Sequence, residues 1–341
     1  METKQIVFTD VGKAELLAAE CPQPKPHEVT VKMAYTAISS GTERANLSGD
    51  VNVDASTAPA EGAVATFPRK LGYSGSGIVY TVGESVPDLK VGDRVVVTGC
   101  FHKGYCNIAA KNVFKIESDD VSLQHAAFSY IATFSTAAIR KTRLEMGESA
   151  IVMGQGVLGQ MAIMELRVAG AIPIIAVDPV PEKRELALKL GADYALNPFD
   201  PDFAATVKKL TKGGANTAIE VSGFGKALDQ VLDCMARFGR VALLGCTRDS
   251  NFTIDYYRKI HYPGITLIGA HTIARPSESF PDFWNSRDDI YTILHLLQGG
   301  RVSFEDMVCE VHSPNDAPEV YTRLLHDRQF PVGVLFDWSQ I

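Results

Sequence analysis

The sequence contains no C-x-x-C pair, no long apolar run and no excess of basic side chains. Each absence excludes something. A spanning helix would need about 18 consecutive apolar residues, so none is expected and no membrane partner either. Lys and Arg total 33 against 40 Asp and Glu, a formal charge of −7. A protein that grips a nucleic-acid backbone would usually carry a basic face. Met1 to Gln5 carry both charge signs and lead into a strand-like run, where an export signal would need a longer apolar stretch. The six cysteines, Cys21, Cys100, Cys106, Cys234, Cys246 and Cys309, are scattered. They read as reduced thiols of a cytoplasmic protein. No repeat of about 20 to 50 residues stands out.

What is present is an ordinary globular composition, with 46% hydrophobic and 21% charged residues. At about 150 residues per domain, a chain of 341 residues predicts two domains. Two textures divide it. Up to about residue 115, short β-rich runs at 4–9, 28–38, 75–82 and 93–98 are broken by Gly and Pro, with Pro22, Pro24 and Pro26 as a stiff spacer. Residues 49–68 lack periodicity and read as a loop, a candidate flap beside a site. From about Ser149, strands at 150–153, 172–177, 217–221, 240–244 and 266–270 alternate with helical spacing at 157–168, 182–190, 203–210 and 226–236. Such alternation predicts a parallel sheet buried on both faces by helices. A helix near 288–297 and a strand at 333–336 follow. The simplest arrangement is an α/β chain in which a β-rich domain (1–130 and 273–341) is interrupted by a doubly wound domain (131–272).

Gly154-Gln155-Gly156-Val157-Leu158-Gly159 has the G-x-G-x-x-G spacing, and its context is complete. An apolar strand precedes it, a helix follows, and the next strand ends at Asp178, 19 residues after Gly159. Gly154 permits the tight turn, Gly156 lets the backbone approach a pyrophosphate, and Gly159 lets helix and strand pack closely. The helix N-terminus, beginning at Val157 and Leu158, presents unpaired N–H groups to phosphates. Asp178 can accept from a ribose diol and would repel a 2′-phosphate, so the expected cofactor is NAD. Lys183 is placed to reach the same ribose or a phosphate, or is simply a solvated lysine of a first helical turn. Ser222 and Gly245 close two later strands at carboxyl ends, where such sheets bind ligands.

Beyond these motifs, Ser40-Gly41-Thr42-Glu43, Leu71-Gly72-Tyr73-Ser74-Gly75-Ser76-Gly77 and Val91-Gly92-Asp93-Arg94-Val95 resemble the medium-chain dehydrogenase/reductase superfamily. The resemblance covers nearly the whole length. The Ser-Gly-Thr-Glu-Arg variant, with Gly269-Ala270-His271-Thr272 and Ala274-Arg275-Pro276, looks most like a branch of threonine- and bacteriochlorophyllide-dehydrogenase-like proteins. It implies a GroES-like β-rich catalytic domain beside a Rossmann domain. It also implies ligand positions for a catalytic zinc, at which this chain reads Ser40, Tyr73, Ser74 and, near the last, Ala132. Hydroxyls and a methyl group do not hold Zn²⁺ as thiolate, imidazole and carboxylate do. Cys100-x-His102-x3-Cys106 fits no common zinc motif, and buried cysteines often serve as small hydrophobes. No metal is expected.

Without zinc, hydrogen-bond donors or a base must manage the proton of the reacting oxygen. The resemblance implies that Thr42 hydrogen-bonds that oxygen and that Thr136 touches the nicotinamide. Tyr73 either points its phenol into the space of the missing metal or plugs it. Glu43 is expected to pair with an arginine behind the site. His271, directly after the last sheet strand, is a third proton carrier or a structural histidine. Ser40, His102, Tyr105, Arg275 and Trp284 are candidate pocket residues.

The reading is an NAD-dependent, zinc-independent oxidoreductase that interconverts a secondary alcohol, polyol- or sugar-like, and its ketone. Alternatives are an NAD(P)H-dependent quinone or enone reductase, which Asp178 disfavours, and a non-catalytic NAD-binding redox sensor. The expected partners are a small alcohol or carbonyl compound and further copies of the chain. A dimer or tetramer would cover the exposed edge strand near residues 266–270.

Overall fold

The computed structural model describes residues 1–54 and 56–341, and the described chain divides into two compact units. One comprises Met1–Ile131 with Ile290–Ile341, the other Ala132–Asp289. The first boundary falls one residue beyond the expected 130. The return does not begin at 273: the segment up to Asp289 stays with the second unit. Arg275 explains this, because its buried guanidinium pairs with Asp289 at 3.1 Å and donates to the Thr133 carbonyl at 2.9 Å.

The first unit begins with strands β1 (Glu2–Asp10), β2 (Lys13–Glu20) and β3 (Glu28–Ala37), then helix α1 (Ser40–Leu47). Strands β4 (Ser74–Val82), β5 (Arg94–Thr98), β6 (Tyr105–Ala109) and β7 (Val113–Lys115) precede the short helix α2 (Leu123–Ala126). Residues 49–68 contain no helix or strand among those described; Ala55 of that expected loop lies outside them. The chain leaves this unit within α3 (Ser129–Thr142).

The second unit runs through β8 (Ala150–Met153), α4 (Val157–Ala169), β9 (Ile174–Val177), α5 (Pro181–Lys189), β10 (Tyr194–Leu196) and α6 (Phe203–Leu210). It continues with β11 (Ala215–Glu220), α7 (Gly225–Cys234), β12 (Met235–Leu243) and β13 (Thr266–Gly269). After α8 (Ser286–Gln298), the first unit is completed by β14 (Val308–His312), α9 (Ala317–His326) and β15 (Gly333–Asp337).

In the first unit, β14-β15-β3-β4-β5-β7 form a mixed sheet with β6 also paired to β3, and β1–β2 form a separate hairpin. Val29, Val31 and Met33 of β3 are buried with Val95 and Val97 of β5, beneath Phe8, Tyr321, Phe336 and Trp338. The alternation at 29–33 predicts a polar outer face. Thr30 is nevertheless buried; β6 pairs alongside it, and its hydroxyl donates to the facing Asn107 at 2.7 Å.

The second unit is a six-stranded sheet in the order β10-β9-β8-β11-β12-β13, parallel throughout. Every residue of β8 and β9 is buried, which is why these strands read as continuous apolar runs. The strand expected from 172 starts at Ile174, because Pro173 lacks an N–H and Ile172 is exposed. The strand order reverses beside β8, at its junction with β11, which is where doubly wound sheets open a crevice for nucleotides.

Candidate active site

In the second unit, the turn after β8 lies at that reversal point. Gly154 adopts φ +99°, and a Cβ there would lie 3.1 Å from Ser222 N at the end of β11. At Gly159 an added Cβ would fall 1.9 Å from the Gly154 carbonyl oxygen. Only glycine permits that approach of helix to turn. Gly156 differs: it caps α4 without a side-chain hydrogen bond, and an added Cβ would meet nothing within 4 Å. Open space therefore lies over a helix N-terminus whose first residues are Val157 and Leu158. This cradle fits a dinucleotide pyrophosphate.

Asp178 lies beside the turn. One carboxylate oxygen accepts Gln155 N–H at 2.8 Å and the other accepts Val180 N–H at 2.9 Å. A carboxylate has about four acceptor positions, so each oxygen keeps capacity for a ribose hydroxyl. Arg184 spends its guanidinium on the carbonyls of Asp178 and Pro179. Lys183 is half-buried in the first turn of α5. Glu220, unnoticed in the sequence, ends β11 buried and accepts Ser222 N–H at 2.9 Å, Gly223 N–H and the Ser222 hydroxyl. Burial raises its pKa despite those donors. Gly245 lets the turns after β11 and β12 meet, since a Cβ there would lie 2.5 Å from Gly223 N.

In the first unit, hydroxyl groups converge at the start of α1. The Tyr73 phenol donates to Ser39 Oγ and hydrogen-bonds the Thr42 side chain. The Tyr130 ring stands edge-on to Tyr73, with centroids 5.8 Å apart. Burial pushes the phenol pKa up, the Ser39 hydrogen bond opposes the rise, and Glu43 adds to it. Tyr73 is consequently a protonated donor at neutral pH. Ser40, Thr42 and Tyr73 are all half-buried.

Behind this group lies a polar network. Glu43, fully buried, accepts Ser39 N–H at 2.8 Å, the Tyr321 hydroxyl at 2.6 Å and His102 Nε2 at 3.2 Å. His102 Nδ1 lies 2.7 Å from Thr36 Oγ1, which accepts Trp338 Nε1–H at 2.9 Å. A carboxylate only accepts, so Nε2 carries the proton facing it, and in the neutral ring Nδ1 accepts from Thr36.

Several sequence expectations are corrected by these contacts. Glu43 pairs with no arginine in this network. His102 is not a pocket residue: it is 1% exposed and both ring nitrogens are engaged in the interior. Tyr105 pairs with Lys32 in the β6–β3 ladder and packs edge-on against exposed Tyr80. Arg275, expected in the pocket, is held in the interior by Asp289 and the Thr133 carbonyl. Thr136 turns inward, donating to the Ala132 carbonyl and facing buried Glu165. Trp284 lies under the Arg140 guanidinium, 3.7 Å from its ring centre. His271 is half-buried and accepts Ile273 N–H at Nδ1.

The positions that resemble zinc-ligand positions do not fit the ion. Tyr73 is bound to Ser39, Ser74 donates to the Ala127 carbonyl at 2.6 Å, and Ala132 has no donor atom. Among the described residues, no group of three or more His, Cys, Asp or Glu is gathered to hold a metal ion.

A doubly wound sheet with a glycine turn at its reversal point, joined to a β-rich unit, defines the two-domain dinucleotide-binding class. Residues 25–160 match the alcohol dehydrogenase GroES-like domain and residues 157–286 match the zinc-binding dehydrogenase domain. The chain belongs to the medium-chain dehydrogenase/reductase superfamily, among its zinc-type alcohol dehydrogenase-like members. It is an oxidoreductase of that type. It is 28% identical to L-threonine 3-dehydrogenase of Pyrococcus horikoshii over 340 residues, 90% of each chain. It is also 28% identical to D-guloside 3-dehydrogenase of Escherichia coli over 273 residues, 78% of this chain and 77% of that enzyme. The fold matches 2R,3R-butanediol dehydrogenase from Bacillus subtilis with a TM-score of 0.81 at 24% identity, covering 98% of this chain and 99% of that one. Among the described residues, no helix is long and apolar enough to cross a membrane.

Proposed function

We propose that this protein is an NAD-dependent oxidoreductase that interconverts a secondary alcohol, polyol- or sugar-like, and its ketone without a catalytic zinc. The observation that carries the reading is the Tyr73 phenol, held protonated between Ser39 and Thr42 at a position that resembles a zinc-ligand site. When bound, the nicotinamide supplies the hydride chemistry. The chain's part is to bind, orient and manage one proton. Tyr73 and Thr42 present hydroxyls to the substrate oxygen: during reduction the Tyr73 proton, lent to Ser39 in the free site, turns to the carbonyl oxygen and is replaced from water, and during oxidation the hydroxyl proton passes through these hydroxyls to water. A positioned acid–base group contributes about 10²–10⁴-fold in rate. In the second unit, His271 is a further candidate proton carrier. Asp178 supports NAD over NADP, because its carboxylate, tied to the glycine turn, would repel a 2′-phosphate. The names of the relatives, which act on a threonine, a guloside and a butanediol, support a secondary alcohol bearing further polar groups.

The test is turnover of polyols, sugar derivatives and 2,3-butanediol with NAD and with NADP, before and after chelation, alongside metal analysis. Turnover that prefers NAD and survives chelation is expected. One tightly bound zinc per chain, lost together with activity, would overturn the metal-free reading.

We further propose that copies pair through β13, whose outer edge has no strand partner among the described residues and whose Leu267 is exposed. Light scattering at low concentration checks this, and a monomer would refute it.

A further inference from the structure

We infer that His102 serves this site from behind, as a positioning residue that acts through Glu43, with Tyr321 sharing the task. The inference rests on the reading that Thr42 and Tyr73 meet the substrate oxygen.

A carboxylate with no exposed surface needs partners to offset its lost hydration. Glu43 finds three donors, and they divide unequally between its oxygens. Oε2 takes Tyr321 from α9 and His102 from the loop after β5, while Oε1 takes the N–H of Ser39. One side of the carboxylate is thus anchored in the core, and the other holds the residue that opens α1. That residue's hydroxyl receives the Tyr73 phenol, and Thr42 meets the same phenol from the first turn. Any displacement of Glu43 therefore moves the groups that grip Tyr73.

His102 is itself fixed. Thr36 holds Nδ1 from the far side and is itself held by the Trp338 N–H, and the backbone around the histidine is fixed as well. His102 adopts φ +41° and Gly72 φ +96°. A Cβ on Gly72 would fall 2.4 Å from His102 Cδ2, so the residue before Tyr73 is glycine because the imidazole occupies that space. Gly72 also accepts Phe101 N–H at 2.6 Å, which ties the Tyr73 segment to the histidine loop a second time.

A purely structural network would affect stability and leave Tyr73 unchanged. The full-length chain labelled with 3-fluorotyrosine separates the two roles by ¹⁹F NMR, with the Tyr73 line identified by its loss in Tyr73→Phe. In His102→Leu and in Tyr321→Phe the Tyr73 line is expected to shift by more than its width. In His102→Gln, whose amide N–H can replace Nε2–H, it is expected to return to the wild-type position. With an alcohol that the wild type oxidises, kcat in His102→Leu should fall by about 10²-fold while the KM for NAD is unchanged. Should His102→Leu fail to fold, Tyr321→Phe removes one hydroxyl only and carries the measurement. A Tyr73 line that stays in place in the folded variants overturns the inference. The line is read without substrate, so inactivity on every alcohol would sink the proposed function separately.

Discussion

The Asp178 carboxylate and the Gln155 N–H meet at 2.8 Å, which fastens an acid from the end of β9 to the middle of the glycine turn after β8. The residue that would choose between cofactors also shapes the turn that would hold their phosphates. Asp178→Ala should relax the NAD preference and also lower stability by about 1–3 kcal/mol, because two N–H groups lose their acceptor. Paired kcat/KM values for NAD and NADP, with a denaturation curve, check both effects. Unchanged discrimination would mean that the ribose lies elsewhere.

The phenol oxygen of Tyr73 distinguishes a donor from a plug. Tyr73→Phe keeps the ring and its edge-on contact with Tyr130. If the hydroxyl handles the substrate proton, kcat should drop by about 10²–10⁴-fold, with Thr42→Ala producing a loss of the same kind. Full activity in both variants would return Tyr73 to a packing role.

Two glycines of one motif should fail in different ways. Gly159→Ala places a Cβ 1.9 Å from a carbonyl oxygen, so it should destabilise the second unit and abolish dinucleotide binding together. Gly156→Ala places its methyl in open space, so the fold should survive while NAD affinity falls. Thermal denaturation and NADH fluorescence titration separate the two outcomes.

Buried acids set a pH dependence of stability. Glu165 is buried, and burial raises its pKa well above the ordinary value against the opposing effects of Thr136, Arg140 and Arg275. Asp289, in the same cluster, is raised by burial to about 6. For both groups the folded chain binds the proton more tightly than the unfolded chain does. Below the ordinary carboxyl range neither costs stability; as pH rises through that range and toward the folded pKa, stability is lost. Glu165→Gln should therefore gain on the wild type from pH 5 to pH 8 in denaturant midpoints. A difference flat with pH would refute the raised value.

Much of the fold was legible because it rests on local periodicity. Phe203–Leu210 and Ala150–Met153 fall where the apolar spacing puts them, and the glycine turn announces itself by spacing to the strand before it and to Asp178 after it. The sequence expectation contains no helix at α9, although its Tyr321 lies among the buried core residues of the first unit. Texture alone places residues 273–289 with the β-rich domain. The ion pair between Arg275 and Asp289, invisible in either residue's neighbourhood, keeps them with the second unit.

The candidate site divides in the same way. Residue types near one another in sequence, such as Ser40, Thr42 and the Gly154–Gly159 turn, already imply hydroxyl chemistry and a phosphate cradle, because a turn or first helical turn brings near neighbours together. Which side chains face inward is a different matter. His102 and Arg275 look like pocket residues in isolation, and each is drawn into the interior by a carboxylate, Glu43 in one case and Asp289 in the other. Glu43 and Tyr321 are 278 positions apart and share a 2.6 Å hydrogen bond. Only folding brings such distant groups together, since a buried polar atom must find its partner wherever the packed chain supplies one.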